Sequence, residues 1–199
     1  MDLKTQKLNI GDYRAVANLH CEHINKGFLS SLGVPFLTLL YEVIDKDSES
    51  VLLVERMDQK VVGFVSGACG LGRIYKQLLL KPFRLLYSLK ATLLSPSKMY
   101  KIIEVLLITK NSNISDNLPQ QELLSIVVNP AYQGGGHAVN LFNALCTHFR
   151  EEGVSCFKIV VGSNLDRAHA FYKKMGSIPV MEMQVHKGVN SVVYVKDLN

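Results

Sequence analysis

The chain has 199 residues, 48% hydrophobic and 20% charged, with a formal net charge of +5. That balance excludes a disordered chain and suits one domain, residues 1–199, with a substantial core. No apolar run reaches the roughly 18 residues that cross a bilayer, and MDLKTQKLNIGD lacks the apolar centre of a secretion signal.

Cys21, Cys69, Cys146 and Cys156 are scattered with no Cys-x-x-Cys pair. They indicate neither zinc nor a disulfide framework, and a reducing cytoplasm is the expected compartment. His20 and His23 stand three apart on a predicted helix, but no carboxylate or cysteine pattern completes a site, so no metal is expected. The positive charge suits anionic partners. No nucleic-acid motif accompanies it, and no nucleic acid is expected.

In chain order, Asp12 to about Asn25 predicts a helix with Ala15, Val16, Leu19 and Cys21 near one face and Asp12 as N-cap. Lys26 to Gly33 reads as a loop. A second helix starts around Pro35 and carries Phe36, Leu39, Leu40 and Val43. Val51–Glu55 and Val61–Ala68 are β-branched runs on either side of Met57-Asp58-Gln59-Lys60, an antiparallel hairpin. From Leu71 to about Thr109 the pattern is helical, with Pro82 and Pro96 breaking or starting segments. Asn111 to Pro119 is a polar loop. Glu122–Val128 is a strand, Val139–Glu152 a helix, Cys156–Val161 a strand and Asp166–Met175 a helix. Val180–Lys187 and Ser191–Lys196 close the chain as a hairpin over Gly188 to Asn190. Antiparallel strands followed by strand–helix–strand give an α/β fold, a mixed sheet flanked by helices.

The segment Ser125 to Leu141, SIVVNPAYQGGGHAVNL, concentrates the chemistry. An apolar strand runs through a Pro-marked turn and three glycines into an apolar-periodic helix. Glycines let the backbone approach a ligand closely, and a helix start offers unpaired N–H groups and a positive dipole end. The combination suits a phosphate. A Walker loop needs Gly-Lys-Ser/Thr, whereas His137-Ala138 follows Gly136. No third glycine follows Gly134-x-Gly136 at the spacing of a dinucleotide fingerprint. A glycine turn without a ligand is the plainer alternative.

Gln133-Gly134-Gly135-Gly136-His137-Ala138 resembles the Gln/Arg-x-x-Gly-x-Gly/Ala loop of the GCN5-related N-acetyltransferases. The resemblance is specific over about Gln121 to Gly176. It implies a mostly antiparallel central sheet flanked by helices, with acetyl-coenzyme A as co-substrate. It also implies that Gln133 to Ala138 hold the pyrophosphate, His137 through its backbone N–H. By the same resemblance, the main chain of Ile126, Val127 and Val128 pairs with the pantetheine amides as an added strand would.

Acetyl transfer needs a neutral amine, a donor to the oxyanion and a proton for the leaving thiolate. Glu122 lies six residues before Val128, matching the general base of the histone-acetylating branch. A period of two puts it on one face with Leu124, Ile126 and Val128, where desolvation raises a carboxylate's pKa. The alternative is a solvated carboxylate at a strand mouth. Ala168, Tyr172 and Gly176 match the family's spacing, and the resemblance makes Tyr172 the general acid facing the coenzyme sulfur. Tyr172 packing a helix face with Phe171 is the alternative. Ala168 and Phe171 are counted with the coenzyme-binding residues. Asn164 matches a residue that holds the pantetheine arm, but sits four rather than three positions before Ala168. It could instead cap the next helix, alone or with Asp166.

The basic helical insertion at about 71–109 is distinctive. Arg73, Lys76, Lys81, Arg84, Lys90, Lys98 and Lys101 occur with no acidic residue among them. It reads as a solvated face, as a peripheral contact with an anionic membrane, or as the lining of a pocket for an anionic amine. GFLSSLGVPFLTLLYEVI resembles family members associated with glycan and exopolysaccharide assembly. The expected acceptor is a small-molecule amine, an amino sugar or its nucleotide conjugate. A protein, peptide or small-amine acceptor, and a non-catalytic acyl-CoA-binding module, stay open, as does the choice between monomer and homodimer.

Overall fold

The structure is a computed structural model that describes residues 7–24, 27–93, 118–186 and 189–199. Helix α1 (Ile10–His23) begins before the expected Asp12. Asn9 is its cap: the Asn9 side chain accepts from the Gly11 and Asp12 N–H groups, and the Asp12 carboxylate accepts from the Asn9 N–H at 2.9 Å. Asp12 is therefore the third helical residue of a capping box, not the cap itself. The loop that follows contains a 3-10 turn, Leu29–Leu32, and leads into α2 (Val34–Lys46) with Pro35 in its first turn.

Strands β1 (Ser50–Met57) and β2 (Lys60–Cys69) form the expected hairpin, closing at Met57 opposite Lys60. Asp58 and Gln59 both take positive φ, 48° and 64°, the pairing whose twist matches that of the strands. The basic insertion supplies α3 (Leu71–Leu79) and α4 (Pro82–Leu93), with Pro82 starting the second. The remaining helical expectation to Thr109, with Pro96, Lys98 and Lys101, and most of the Asn111–Pro119 loop lie outside the described residues.

Strand β3 (Gln121–Val128), a 3-10 turn at Pro130–Tyr132, α5 (His137–Glu151), β4 (Cys156–Gly162) and α6 (Asp166–Lys174) follow in the expected order, with α5 starting two residues before the expected Val139, so that His137 and Ala138 open its first turn. Strands β5 (Ile178–His186) and β6 (Val189–Asp197) make the closing hairpin. Asn190, expected in its turn, already pairs with Gln184 inside the ladder, and residues 187–188 lie outside the description.

The six strands form one sheet in the order β1-β2-β3-β4-β6-β5, antiparallel except between β3 and β4. Alternation splits its side chains between two cores. Leu52, Val54, Phe64, Ala68 and Val127 pack under α1 to α4. Leu53, Val65, Leu123, Phe157 and Ile159 pack under α5, together with Tyr172 of α6. Gly67 admits the helix closely, since a Cβ there would come within 2.6 Å of Phe149 Cζ.

One break in alternation matters for the site. The β2–β3 register shifts between Ser66/Ser125 and Gly67/Leu123, which leaves Leu124 as an extra residue in β3. Ile126 and Val128 pack with the α5 core, but Leu124 packs with the α1–α4 core. Glu122 therefore shares a face with Leu124 and not, as a strict period of two predicts, with Ile126 and Val128.

Candidate active site

Strands β3 and β4 touch along only two described rungs, Glu122 opposite Lys158 and Leu123 opposite Ile159. Beyond Leu123, β3 keeps β2 on one side through Ser125, Ile126, Val127 and Val128. Meanwhile β4 follows β6 to its end, where Gly162 pairs with Ser191. Among the described residues, no strand pairs with the β4-facing edge of β3 over Ile126 to Val128. An open edge of this kind receives an extended, amide-bearing chain through main-chain hydrogen bonds.

The glycine loop lies directly beyond that edge. Asn129 ends β3, donating its N–H to Val62 O at 2.8 Å while its side chain accepts from Ala131 N–H at 3.0 Å. Each glycine then has its own reason. Gly134 (φ 86°) and Gly136 (φ 81°) are left-handed, where a side chain is strained. Gly135 carries the His137 ring, and a Cβ there would meet His137 Nε2 at 3.0 Å. His137 Nδ1 is 3.0 Å from Glu55 Oε1 on β1, and its ring stands edge-on to Tyr132. The imidazole thus ties the loop to the sheet and leaves its backbone N–H for a ligand. Gly136 is the N-cap residue of α5, with no side-chain cap bond. Among the described residues, none accepts a hydrogen bond from the N–H groups of Gly134, Gly135, Gly136, His137 or Ala138. Five amides without an acceptor among the described residues, at the positive end of a 15-residue helix, suit a diphosphate. Gln133 lies exposed beside them.

Glu122 stands one rung before the two strands part. Its carboxylate is 3.7 Å from Lys158 Nζ, which also donates to Pro119 O at 2.7 Å. Burial raises the Glu122 pKa, and the Lys158 charge and hydrogen bond offset part of that rise. On the same face lies Tyr75 of α3, whose phenol is pushed up to about 12 by burial first and by the Glu122 charge second. The Glu122 carboxylate therefore takes up a proton more readily than an ordinary glutamate.

Tyr172 lies on the opposite face, buried among Phe142, Phe171 and Tyr194 at ring separations of 6.1, 5.3 and 6.2 Å. Burial raises its pKa, so the phenol keeps its proton. Ala168 and Phe171 pack beside it in the same core. Neither Asn164 nor Asp166 caps α6: the N-cap position is Leu165, with no side-chain bond. Asn164 instead turns its Oδ1 back over Gly162, within 3.3 Å of where a Cβ would stand.

Two polar pairs escaped the sequence reading. His169 bridges α6 to the sheet, with Nε2 3.1 Å from Gly162 O and Nδ1 2.9 Å from the Tyr194 hydroxyl. The carbonyl can only accept, so Nε2 carries the proton and, in the neutral ring, Tyr194 donates to Nδ1. Under α1 and α2, His20 Nδ1 is 2.6 Å from the Tyr41 hydroxyl, and that hydroxyl also hydrogen-bonds Ser125 of β3. Both pairs join residues far apart in sequence, and helical or strand periodicity carries no sign of them. The described residues contain no cluster of three or more metal-ligating side chains.

The family model for Acetyltransferase (GNAT) family matches residues 21–177. No curated protein matches the sequence. Solved structures share the fold at low identity. An N-acetyltransferase from Staphylococcus aureus Mu50 is 13% identical, over 98% of this chain and 97% of that one, with a TM-score of 0.63. The ribosomal-protein-S18-alanine N-acetyltransferase from Escherichia coli is 11% identical, over 98% and 92%, with a TM-score of 0.58. An aminoglycoside 6'-N-acetyltransferase complexed with coenzyme A is 12% identical, over 96% and 93%, also at 0.58. A strand edge opening onto a glycine loop whose amides find no acceptor among the described residues, in a chain matched over most of its length, leads to one assignment: this protein belongs to the GNAT acetyltransferase family, whose co-substrate is acetyl-CoA.

Proposed function

We propose that the chain is a single-domain, acetyl-CoA-dependent N-acetyltransferase that acts on the primary amine of a small molecule by direct attack in a ternary complex. The observation that carries this reading is the set of N–H groups at Gly134 to Ala138 without an acceptor among the described residues, one turn beyond the open edge of β3. These amides hold the diphosphate, with Gln133 beside them. The Ile126–Val128 main chain, Asn164, Ala168 and Phe171 accommodate the pantetheine arm. Glu122 takes a proton from the incoming ammonium group. The neutral nitrogen bonds to the thioester carbon as the carbon–sulfur bond breaks, and the Tyr172 hydroxyl gives its proton to the departing sulfur. The nitrogen releases its second proton to water, and the Tyr172 phenolate takes a proton back from water. Base and acid on opposite faces of the sheet suit a reaction that runs through the gap between β3 and β4.

The acceptor we favour is an amino sugar or a nucleotide-linked amino sugar. Lys158 beside Glu122 supports it, because a cation at the mouth favours an anionic amine over a polycation. The S18 enzyme of the same fold keeps a peptide amine as the second reading. A cytoplasmic setting agrees with the four free thiols. The test is coenzyme A release, followed with a thiol reagent, across a panel of amino sugars, their nucleotide conjugates, peptides and polyamines. Release that depends on one amine class supports the reading. Thioester binding without release on any amine identifies a non-catalytic acyl-CoA module instead.

A further inference from the structure

The outer face of α3 and α4 is unlike the rest of the surface. Inward, Ile74, Tyr75, Leu78 and Leu89 are buried in the core. Outward, Lys76 and Leu79 of α3, Leu80 in the break after it, and Phe83, Leu86, Tyr87 and Lys90 of α4 are all exposed. Phe83 is 86% exposed, Leu80 80% and Tyr87 69%. A solvated helix face does not set large apolar side chains at its outermost positions, and a contiguous exposed patch of them marks an interaction site.

Charge identifies what the patch meets. Residues 71–93 hold five Lys or Arg and no Asp or Glu. Arg73 and Arg84 are exposed but taken up in ion pairs. Arg73 pairs with Asp47 at 2.8 Å and with Glu49. Arg84 grips Glu42 with both terminal nitrogens, and Lys46 bonds the same carboxylate at 2.7 Å. The neighbouring carboxylates are thereby matched. Lys76, Lys81 and Lys90 are left without an ion pair among the described residues, and Lys90 Nζ lies 4.5 Å over the Tyr87 ring. Apolar side chains at the centre and lysines around them complement a surface with anionic phosphates outside and hydrocarbon beneath. A nucleic-acid face offers no such hydrocarbon for Leu79, Leu80 and Phe83. No described helix is long and apolar enough to cross a membrane, so the contact is peripheral.

We propose that the outer face of α3–α4 docks on an anionic lipid surface, with Leu80, Phe83 and Tyr87 entering the acyl boundary and Lys76, Lys81 and Lys90 meeting headgroup phosphates. The docking needs no acetyl transfer and stands apart from the transferase reading. Helix α3 nonetheless links the two places, because its buried Tyr75 feels the Glu122 charge while its Lys76 and Leu79 are exposed.

The experiment is co-sedimentation of the full chain with vesicles of phosphatidylglycerol and phosphatidylcholine, against vesicles of phosphatidylcholine alone. The wild type is expected to pellet with the anionic vesicles and stay in solution with the neutral ones. Lys76→Gln and Lys90→Gln are each expected to lower partitioning about fivefold. The double variant Leu80→Ser/Phe83→Ser, at positions whose exposure spares the fold, is expected to lower it at least about tenfold. Unchanged thermal unfolding of the variants confirms that the loss is one of binding. Wild-type protein that stays in solution with anionic vesicles at low salt overturns the proposal, as do variants that pellet like the wild type. So does a wild-type dimer, seen by light scattering, that Leu80→Ser/Phe83→Ser converts to monomer, since a second copy then covers the face.

Discussion

Glu122 and Lys158 face each other on the first of the two rungs that join β3 and β4, with 3.7 Å between carboxylate and ammonium. Burial raises the carboxylate pKa and the lysine lowers it, so the two residues together set where Glu122 takes up a proton. The acid limb of kcat/KM is therefore expected above the ordinary glutamate range, and Glu122→Gln should remove that limb along with most of the turnover. Lys158→Met removes the opposing influence, so its limb should move to higher pH. A pH–rate profile of the three proteins checks the sign. A limb that moves down in Lys158→Met contradicts the pairing.

Tyr172→Phe deletes the hydroxyl and leaves the aromatic packing in place. In the proposed role of donor to the departing sulfur, Tyr172 acts on turnover, so kcat should fall by about two orders of magnitude with coenzyme affinity nearly unchanged. Steady-state kinetics alongside equilibrium binding separates the two. Lost binding with preserved turnover per bound complex refutes the role.

His20 is buried and held neutral, its pKa lowered to about 4 by desolvation. Between the ordinary value of 6.5 and about 4, the unfolded chain takes up a proton that the folded chain refuses. Stability is therefore intact above that window and declines as pH falls through it, by something on the order of 3 kcal/mol. Urea unfolding across that range should show the decline in the wild type and a flatter profile in His20→Gln. Tyr41→Phe strips the shared hydroxyl from His20 and Ser125 and should cost about 1–3 kcal/mol at neutral pH.

Much of this site is legible in sequence because its parts are local. The run from Ser125 to Leu141 keeps its strand, turn, glycines and helix within one segment, and the structure reproduces each of them. What escapes depends on partners that folding brings together. The bulge at Leu124 arises from register against β2, and it turns Glu122 to the other face of β3. His137 in the loop suggests an amide at the phosphates, but its imidazole finds Glu55, 82 positions earlier. His20 reads as one more residue on an amphipathic helix until Tyr41 and Ser125 close around it. At α1 the error was smaller: Asn9 and Asp12 both suit a cap, and the reciprocal bond from Asn9 N–H decides between them.

Gly136 and Gly135 serve the loop in different ways, and substitution should tell them apart. Gly136→Ala puts a side chain on a left-handed backbone at a cost of about 1–2 kcal/mol, so thermal stability should fall. A Cβ at Gly135, where φ is not left-handed, meets the His137 ring at 3.0 Å, so the ring held by Glu55 must give by a few tenths of an ångström. Gly135→Asp should therefore cost less stability than Gly136→Ala while placing a negative charge among the amides that lack an acceptor among the described residues. Equal melting temperatures for the two variants contradict this division.

Calorimetric titration with acetyl-CoA and with S-acetylpantetheine, which lacks the diphosphate, tests the amide cradle most directly. The wild type should bind acetyl-CoA, and Gly135→Asp should bind it at least about tenfold more weakly, while both proteins bind the truncated thioester alike. Failure of the wild type to bind any coenzyme A thioester, or equal binding of acetyl-CoA by the two proteins, contradicts the account.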